Sequence, residues 1–501
     1  MPDAAAVSEN IKGWAATESG FARFLRAGIP PVQALTRWAL ELLRTNQIPE
    51  AVAALSSALA LTPADPVLWA NYGVALSQGS SSEAAACLEY SLALARHQPD
   101  TWLILGLTRK KQGDPVAAEI AFRVALEQEP HSTAGWQLIG ILKEEQRDFP
   151  GAIECLDACV TAGGGNAAIL ANLGKLNYQL GRIAESCQAY GAAAELDPLS
   201  PHYRQMARKT TFLRQALDGE SVADAIATYQ KSFATTENCS ETDLMELLNS
   251  AFSMLSGFGH IDAATRVGRK SIELWPANPS RTYLLGAVTG DHTLDCSPPE
   301  YVVEHFDAFA EGFEAQLVGV LGYDIPKKIC LAVREIVAEG RLHDTLDAGC
   351  GTGLCGPLLR PISRTLTGVD LSPKMLEQAD RKKIYDTLAC AELTAFLLRS
   401  AGQFDLIVAA DLMIYFGDLT SLFAAAATAL KPAGLFAFST ELWTGGGYRL
   451  LPSGRFAHEP GYVQLLAAGK FTEVFQAATT IRQEGTGRLS GNLFIFRRQI
   501  R

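Results

Sequence analysis

Thr345-Leu-Asp-Ala-Gly-Cys-Gly-Thr-Gly353 is the stretch that decides the fold of the C-terminal half. An apolar strand runs straight into glycines at alternate positions, Gly349, Gly351 and Gly353. Glycine tolerates positive φ and has no side chain, so such a run turns tightly and brings backbone N–H groups close to a ligand. Working outward, RTLTGVDLS (364–372), FDLIVAADLM (404–413) and GLFAFSTE (434–441) read as further short buried strands. Helical segments separate them: GLCGPLLRPI (353–362), SPKMLEQADRK (372–382) and LTSLFAAAATALK (419–431). This alternation predicts a parallel sheet with helices on both faces, and ligands of such sheets bind at the strand C-termini. The second strand ends at Asp370, where a carboxylate can accept both hydroxyls of a ribose diol. The expected ligand is adenosine-like.

Gly351-Thr-Gly353-Leu-Cys-Gly356 also fits the dinucleotide pattern G-x-G-x-x-G, so an NAD-dependent oxidoreductase is one alternative. Three features count against it. Asp347 precedes the first glycine, where a carboxylate suits a cationic ligand better than a pyrophosphate. Lys431-Pro-Ala-Gly434 stands between a helix and the fifth strand. The C-terminus reads as a β-hairpin, FQAATTIRQE (475–484) and GNLFIFRRQ (491–499) around a turn at Gly485-Thr-Gly487.

This constellation resembles the class I S-adenosylmethionine-dependent methyltransferases, α/β Rossmann-like domains whose sheet closes with such an antiparallel hairpin. The resemblance covers 300–501. It includes the lead-in YVVEHFDAFAEGF (301–313) and the segment Gly454-Arg-Phe-Ala-His458. It implies S-adenosyl-L-methionine as cofactor. By position, Asp347, Gly349, Gly351 and Gly353 would hold the methionine part, Asp370 the ribose, and Leu371 and Met375 the adenine surroundings. Glu392, where relatives often have aspartate, would accept from the adenine amine, and Asp411 would face the methyl-transfer site. The plain structural alternatives are a turn and a helix cap for Asp347, Gly349 and Asp370, and a helix-start carboxylate for Glu392.

Asp411, Tyr415, His305 and His458 are the candidates for a catalytic base or an acceptor anchor. Each has a structural alternative: His305 beside Phe306 on an amphipathic helix, His458 in a loop, Tyr415 in the core. Phe306, Phe309 and Phe313 are expected to pack the lead-in helix onto the pocket. Asp411-Leu-Met-Ile follows the fourth strand in place of an Asn-Pro-Pro-Tyr-like tetrapeptide, which points to oxygen or carboxylate acceptors rather than amines. No metal site is expected: the ten cysteines form no CxxC pair, and no histidine flanks the closest spacings, Cys155–Cys159 and Cys350–Cys355, in a zinc pattern.

The N-terminal half is periodic. Gly73, Gly106, Gly140 and Gly174 recur at steps of 33 or 34 residues, each four positions after Trp69, Trp102, Trp136 or Leu170. Small residues follow twelve positions after each glycine (Ala85, Ala118, Ala152, Ser186), and Phe122, Leu156 and Tyr190 follow sixteen after the last three. Prolines at 63, 130 and 198 close second helices. The pattern resembles the tetratricopeptide repeat, in about five copies over residues 32–200, and predicts stacked helix pairs with a concave groove. The resemblance implies a protein or peptide partner in that groove. Asn71 and Asn172 are the candidate groove residues, but Ile104 and Leu138 interrupt an asparagine ladder, and Lys110, Lys111 and Lys175 against Glu144 and Glu145 make the groove mixed in charge.

The expected division is a helical extension over 1–30, repeats over 31–290 that degenerate after about 200, a linker at 291–300 and the methyltransferase-like domain over 301–501. With 501 residues, more than one domain is required. A formal net charge of −11 argues against a dedicated nucleic-acid binder. No apolar run is long enough to span a bilayer, and the N-terminus lacks a signal-peptide pattern, so a cytoplasmic protein is expected. A second alternative is a scaffold or regulator whose cofactor fold is non-catalytic.

Overall fold

The computed structural model describes residues 11–16, 20–79, 82–233, 238–291, 293–314, 323–337, 342–484 and 487–500. Much of the expected 1–30 extension, and Gly485 and Thr486 of the hairpin turn, lie outside them. The chain divides into two compact units, Met1–Arg214 and Gln215–Arg501.

The first unit is a run of antiparallel helix pairs. Pro31–Arg44 packs with Ile48–Leu61, Pro66–Gln78 with Ala84–Leu94, and Pro99–Lys111 with Pro115–Gln128. Thr133–Glu145 packs with Phe149–Cys159, and Ala167–Gln179 with Ile183–Leu196. Asp65, Asp114, Ser132, Asp148 and Asn166 cap helix starts with their side chains. The repeat glycines are where the paired helices touch. A Cβ on Gly174 would stand 2.6 Å from the Tyr190 ring, and one on Gly140 3.0 Å from Leu156; Phe122 fills the same place against Gly106. At Gly73 the filler is Leu88, fifteen residues on instead of sixteen, so the shorter step is taken up between the two helices of that pair. The tryptophans tie successive repeats together, donating from Nε1 to the carbonyls of Pro63 (2.8 Å), Arg96 (3.1 Å) and Pro130 (2.9 Å).

In the second unit, a helix over Val222–Lys231 precedes three helices, α1 (Glu241–Gly257), α2 (Ile261–Leu274) and α3 (Pro279–Thr289). They fall in the same unit as the sheet, so the break expected at 291–300 is not where the chain divides. The reason is visible at Tyr283. It is 1% exposed, donates to the Gly454 carbonyl (2.8 Å) and accepts from Ser297 Oγ (2.7 Å), and it shares a cluster with Leu450 and Phe456. The supposed linker is a fixed strap. Asp295 O accepts from Gly417 N at 2.7 Å, Ser297 N donates to Tyr415 O at 2.9 Å, and Cys296 bridges to Phe416.

After the strap come α4 (Pro299–Phe309) and α5 (Ile325–Ile336), then the sheet. Its strands are β1 (His343–Ala348), β2 (Ser363–Asp370), β3 (Thr387–Cys390), β4 (Phe404–Ala409), β5 (Leu430–Leu442), β6 (Tyr448–Leu450), β7 (Phe456–His458), β8 (Phe471–Glu484) and β9 (Gly487–Arg498). The order β3-β2-β1-β4-β5 is parallel throughout. β9 runs antiparallel beside β5 and carries β8, which is the closing hairpin expected from the sequence. The order reverses between β1 and β4, the switch point where a cleft opens. One face of the sheet packs phenylalanines 423, 436, 438, 471, 494 and 496 edge to face and stacked, and the other packs Ile325 and Ile329 of α5. Lys431 reaches Asp344 (2.5 Å) and Asp405 (2.9 Å), so the Lys-Pro-Ala-Gly segment ties β5 to the start of β1 and of β4, away from the ligand end.

Candidate functional site

A cleft of about 570 Å³ opens over the C-terminal ends of β1, β2 and β4. Its first wall is the glycine turn. Gly349, Gly351 and Gly353 have φ of 67°, 54° and 86°, a region that disfavours any residue with a Cβ. The turn is pinned by Gly349 N and Cys350 N on the Val369 carbonyl (2.8 and 3.0 Å). A Cβ on Gly351 would meet nothing within 4 Å, so that glycine faces open cleft; one on Gly353 would stand 3.0 Å from Tyr385. Gly353 therefore shapes the floor and does not line the cleft.

Two carboxylates meet at this wall. Asp347, 1% exposed, accepts from the Tyr385 hydroxyl at 2.6 Å. Burial, and then the nearby Asp370 charge, push its pKa up to about 7 despite that hydrogen bond. Asp370 accepts from Gly351 N (2.8 Å) and Ser372 N (2.9 Å), and burial raises its pKa as well. An ionised carboxylate has about four lone-pair sites, so Asp370 keeps capacity for a ligand diol. Leu371 and Glu392 also line the cleft. Glu392 caps the helix Leu393–Arg399, its two oxygens accepting from Thr394 N (2.8 Å) and Ala395 N (2.6 Å). Met375 corrects the sequence expectation: it is fully buried, and the cleft is lined without it.

The opposite wall carries the chemistry candidates. Asp411 sits past β4 at φ 57°, its N donating to Ser439 Oγ at 2.8 Å, with Arg482 Nη1 3.5 Å from its carboxylate. Arg482 comes from β8, is 5% exposed and also donates to the buried Glu441 at 3.0 Å. Tyr415 and His305 face the cleft beside Phe306, whose ring meets Tyr415 edge-on at 5.7 Å. Burial raises the Tyr415 pKa, so its hydroxyl is a donor at neutral pH. Burial, and then the Arg455 charge, lower that of His305, so its imidazole is neutral there.

His458 is a second correction. It lies on β7, wholly buried, with Nε2 2.8 Å from Phe416 O and 3.2 Å from Gly417 O, and burial takes its pKa down to about 4. It holds the loop behind Tyr415 and does not reach the cleft. The residue of that segment that does is Arg455.

Phe306 and Phe313 line the cleft, while Phe309 is 43% exposed. The lead-in also clamps the glycine turn and the loop after β2 through groups that sequence patterns do not single out. Asp307 accepts from Ser372 Oγ (2.5 Å), and Glu314 accepts from Thr352 Oγ1 (2.6 Å) and pairs with Lys382 (2.5 Å). Tyr385, Arg482 and Glu441 were likewise invisible, because only the fold brings them beside residues 38 to 71 positions away. Among the described residues, no cluster of histidine, cysteine or carboxylates could hold a metal, and no helix is long and apolar enough to cross a membrane.

In the first unit, Asn172 Nδ2 donates to Glu144 at 2.9 Å, Lys175 pairs with the same carboxylate, and Lys110 pairs with Glu145 at 2.7 Å. The groove charges therefore neutralise one another across repeats.

Comparison with known proteins agrees with both units. Residues 346–438 match the model of a methyltransferase domain, and residues 36–86, 74–133 and 138–201 match that of the tetratricopeptide repeat. The ubiquinone biosynthesis O-methyltransferase of Thiobacillus denitrificans is 32% identical over 102 residues, 19% of this chain and 43% of that protein. That of Coxiella burnetii is 26% identical over 163 residues, 30% of this chain and 67% of that protein. The chain thus spans less than half the length of the first of these relatives. Among solved structures, an S-adenosylmethionine-dependent methyltransferase from Mesorhizobium loti is 25% identical, covering 34% of this chain and 96% of that one, with a TM-score of 0.29. The chain carries tetratricopeptide repeats followed by a methyltransferase domain, whose cofactor is S-adenosylmethionine.

Proposed function

We propose that this chain methylates an oxygen acceptor seated among Asp411, Tyr415 and His305, and that its repeats recruit the molecule carrying that acceptor. One observation supports the first part above others: a single cleft has the glycine turn and Asp370 on one wall and His305, Tyr415 and Asp411 on the other. The residues present fit the cofactor. Gly351 leaves an open cradle, Asp370 retains acceptor capacity for a ribose, Leu371 offers an apolar side for a base, and Asp347 offers a buried carboxylate for an ammonium group.

When bound, the cofactor supplies a methyl group already activated by its sulfonium, so in-line displacement needs alignment more than acid catalysis. The chain's own residues then have three tasks. Phe306, Phe313 and the strap at Cys296 exclude water. Tyr415 donates a hydrogen bond that orients the acceptor. His305, neutral at pH 7, takes the proton of a hydroxyl acceptor at an imidazole nitrogen; a carboxylate acceptor would not need it. Asp411, held by Arg482, fixes the geometry between them.

The test uses the full chain. Proteins captured by it are incubated with methyl-labelled S-adenosylmethionine, using wild type and His305→Gln. Label transfer to a captured protein, slowed about 10²-fold or more by the substitution, is expected. Transfer at an unchanged rate would remove His305 from the reaction. Absence of S-adenosylhomocysteine binding in calorimetry would overturn the enzyme reading itself.

A further inference from the structure

A second cavity, of about 240 Å³, borders α4 on a different face from the cleft. Val302 and Phe306 line the cleft, Tyr301 and Glu304 line the second cavity, and His305 lines both. α1, α2 and α3 supply the remaining walls, with Phe252 and Leu284 making them largely apolar.

Arg281 is the anomaly in this setting. It is 8% exposed, and its guanidinium lies 4.7 Å over the Trp275 ring. Among the described residues, no oxygen accepts from its side chain, and its Nε is buried without a partner. Ser271 Oγ, on the same cavity and 4% exposed, also lacks a partner. The nearest opposite charge is Glu304, which accepts from Ser280 Oγ at 2.9 Å and makes no ion pair with Arg281 within 4.0 Å. A guanidinium nitrogen sealed away without an acceptor is costly, and the planar fork it belongs to matches a carboxylate in particular.

We propose that this cavity binds a small singly charged carboxylate on an apolar body, with Arg281 as its main donor and Ser271 as the second. The apolar walls exclude a strongly hydrated ion, and the Glu304 charge at the rim disfavours a polyanion such as phosphate. Because His305 borders both cavities, a bound acid sits against the residue that also faces the methyl-transfer site. The site itself stands on Arg281 and Ser271, independently of the reaction proposed above.

Calorimetry on the full chain tests this with hexanoate, its neutral isostere hexanol, and inorganic phosphate, each with and without saturating S-adenosylhomocysteine. Saturable hexanoate binding is expected in both conditions, with hexanol and phosphate about tenfold weaker or more. Arg281→Met should weaken hexanoate by about tenfold or more. Since that variant removes a buried side chain, Ser271→Ala provides a milder check, weakening hexanoate and leaving hexanol unchanged. No saturable hexanoate binding, equal affinity for hexanol, or displacement by S-adenosylhomocysteine would overturn the proposal. Failure of S-adenosylhomocysteine to bind would count against the cofactor reading and leave the hexanoate titration decisive for this one.

Discussion

If Asp347 receives the cofactor as proposed, it should make cofactor binding dependent on pH in a calculable way. With a pKa of about 7 in the ligand-free chain, it is half protonated at neutrality. If it must be ionised to receive an ammonium group, the apparent dissociation constant scales as 1 + 10^(pKa − pH). The factor is about 11 at pH 6, about 2 at pH 7 and about 1.1 at pH 8, so affinity should rise about tenfold from pH 6 to 8, or ~1.4 kcal/mol. About half a proton should be released per ligand bound at pH 7, readable by calorimetry with S-adenosylhomocysteine in buffers of different ionisation enthalpy. The amine of the homocysteine part stays protonated over this range, so the slope reports the protein. Asp347→Asn should abolish both the slope and the proton release, and weaken binding at pH 8 by about tenfold or more. Stability should move the other way. A carboxyl whose folded pKa lies above its unfolded value binds more protons when folded, so stability falls as pH rises from about 4 to about 7. The asparagine variant should therefore gain in Tm at pH 8 and much less at pH 5. Wild-type affinity that is flat between pH 6 and 8, or a slope that survives in Asp347→Asn, would refute the argument.

Asp370→Asn should weaken S-adenosylhomocysteine by roughly 2–4 kcal/mol, since the carboxylate holds both the Gly351 turn and any diol, and titration of the folded variant measures it. His458→Ala should lower stability by about 2–4 kcal/mol in urea titration while the cofactor affinity of the folded fraction stays unchanged; a selective loss of turnover would return His458 to the site. Gly174→Ala should destabilise the repeats by about 1–3 kcal/mol, because its methyl would meet the Tyr190 ring, and circular dichroism of thermal unfolding checks this. A chain cut to 215–501 should fold and bind S-adenosylhomocysteine, whereas one cut to 291–501 should lose cooperative unfolding, because it lacks Tyr283 and its cluster.

The parts of the fold legible in the sequence were those with local periodicity. The glycine turn, the strand ending at Asp370 and the repeat glycines facing Phe122, Leu156 and Tyr190 all follow from spacing alone. Position alone misled where burial decides. Met375 and His458 stand at plausible offsets, yet one is the inner face of a helix and the other the inner face of a short strand. The prolines at 298 and 299 read as a linker because proline and polar residues are common in loops. Here Pro299 starts α4, and the polar residues before it are hydrogen-bonded to the loop after β4. Arg281 left no signature, since a lone arginine in a helix looks solvated until its neighbours are known.

The lead-in that roofs the cleft is tied down at Asp307 and Glu314, on the very loops that would carry the cofactor, and it begins in a strap shared with α3. This has a consequence for engineering. A chimera that joins the sheet of this chain to another recruitment module must carry the helices from 241 onward as part of the catalytic cassette. A splice made at the proline pair would deliver an intact open sheet whose roofing helix α4 has lost the strap and the Tyr283 cluster that seat it, and the module swapped in would be blamed for a defect located at the seam.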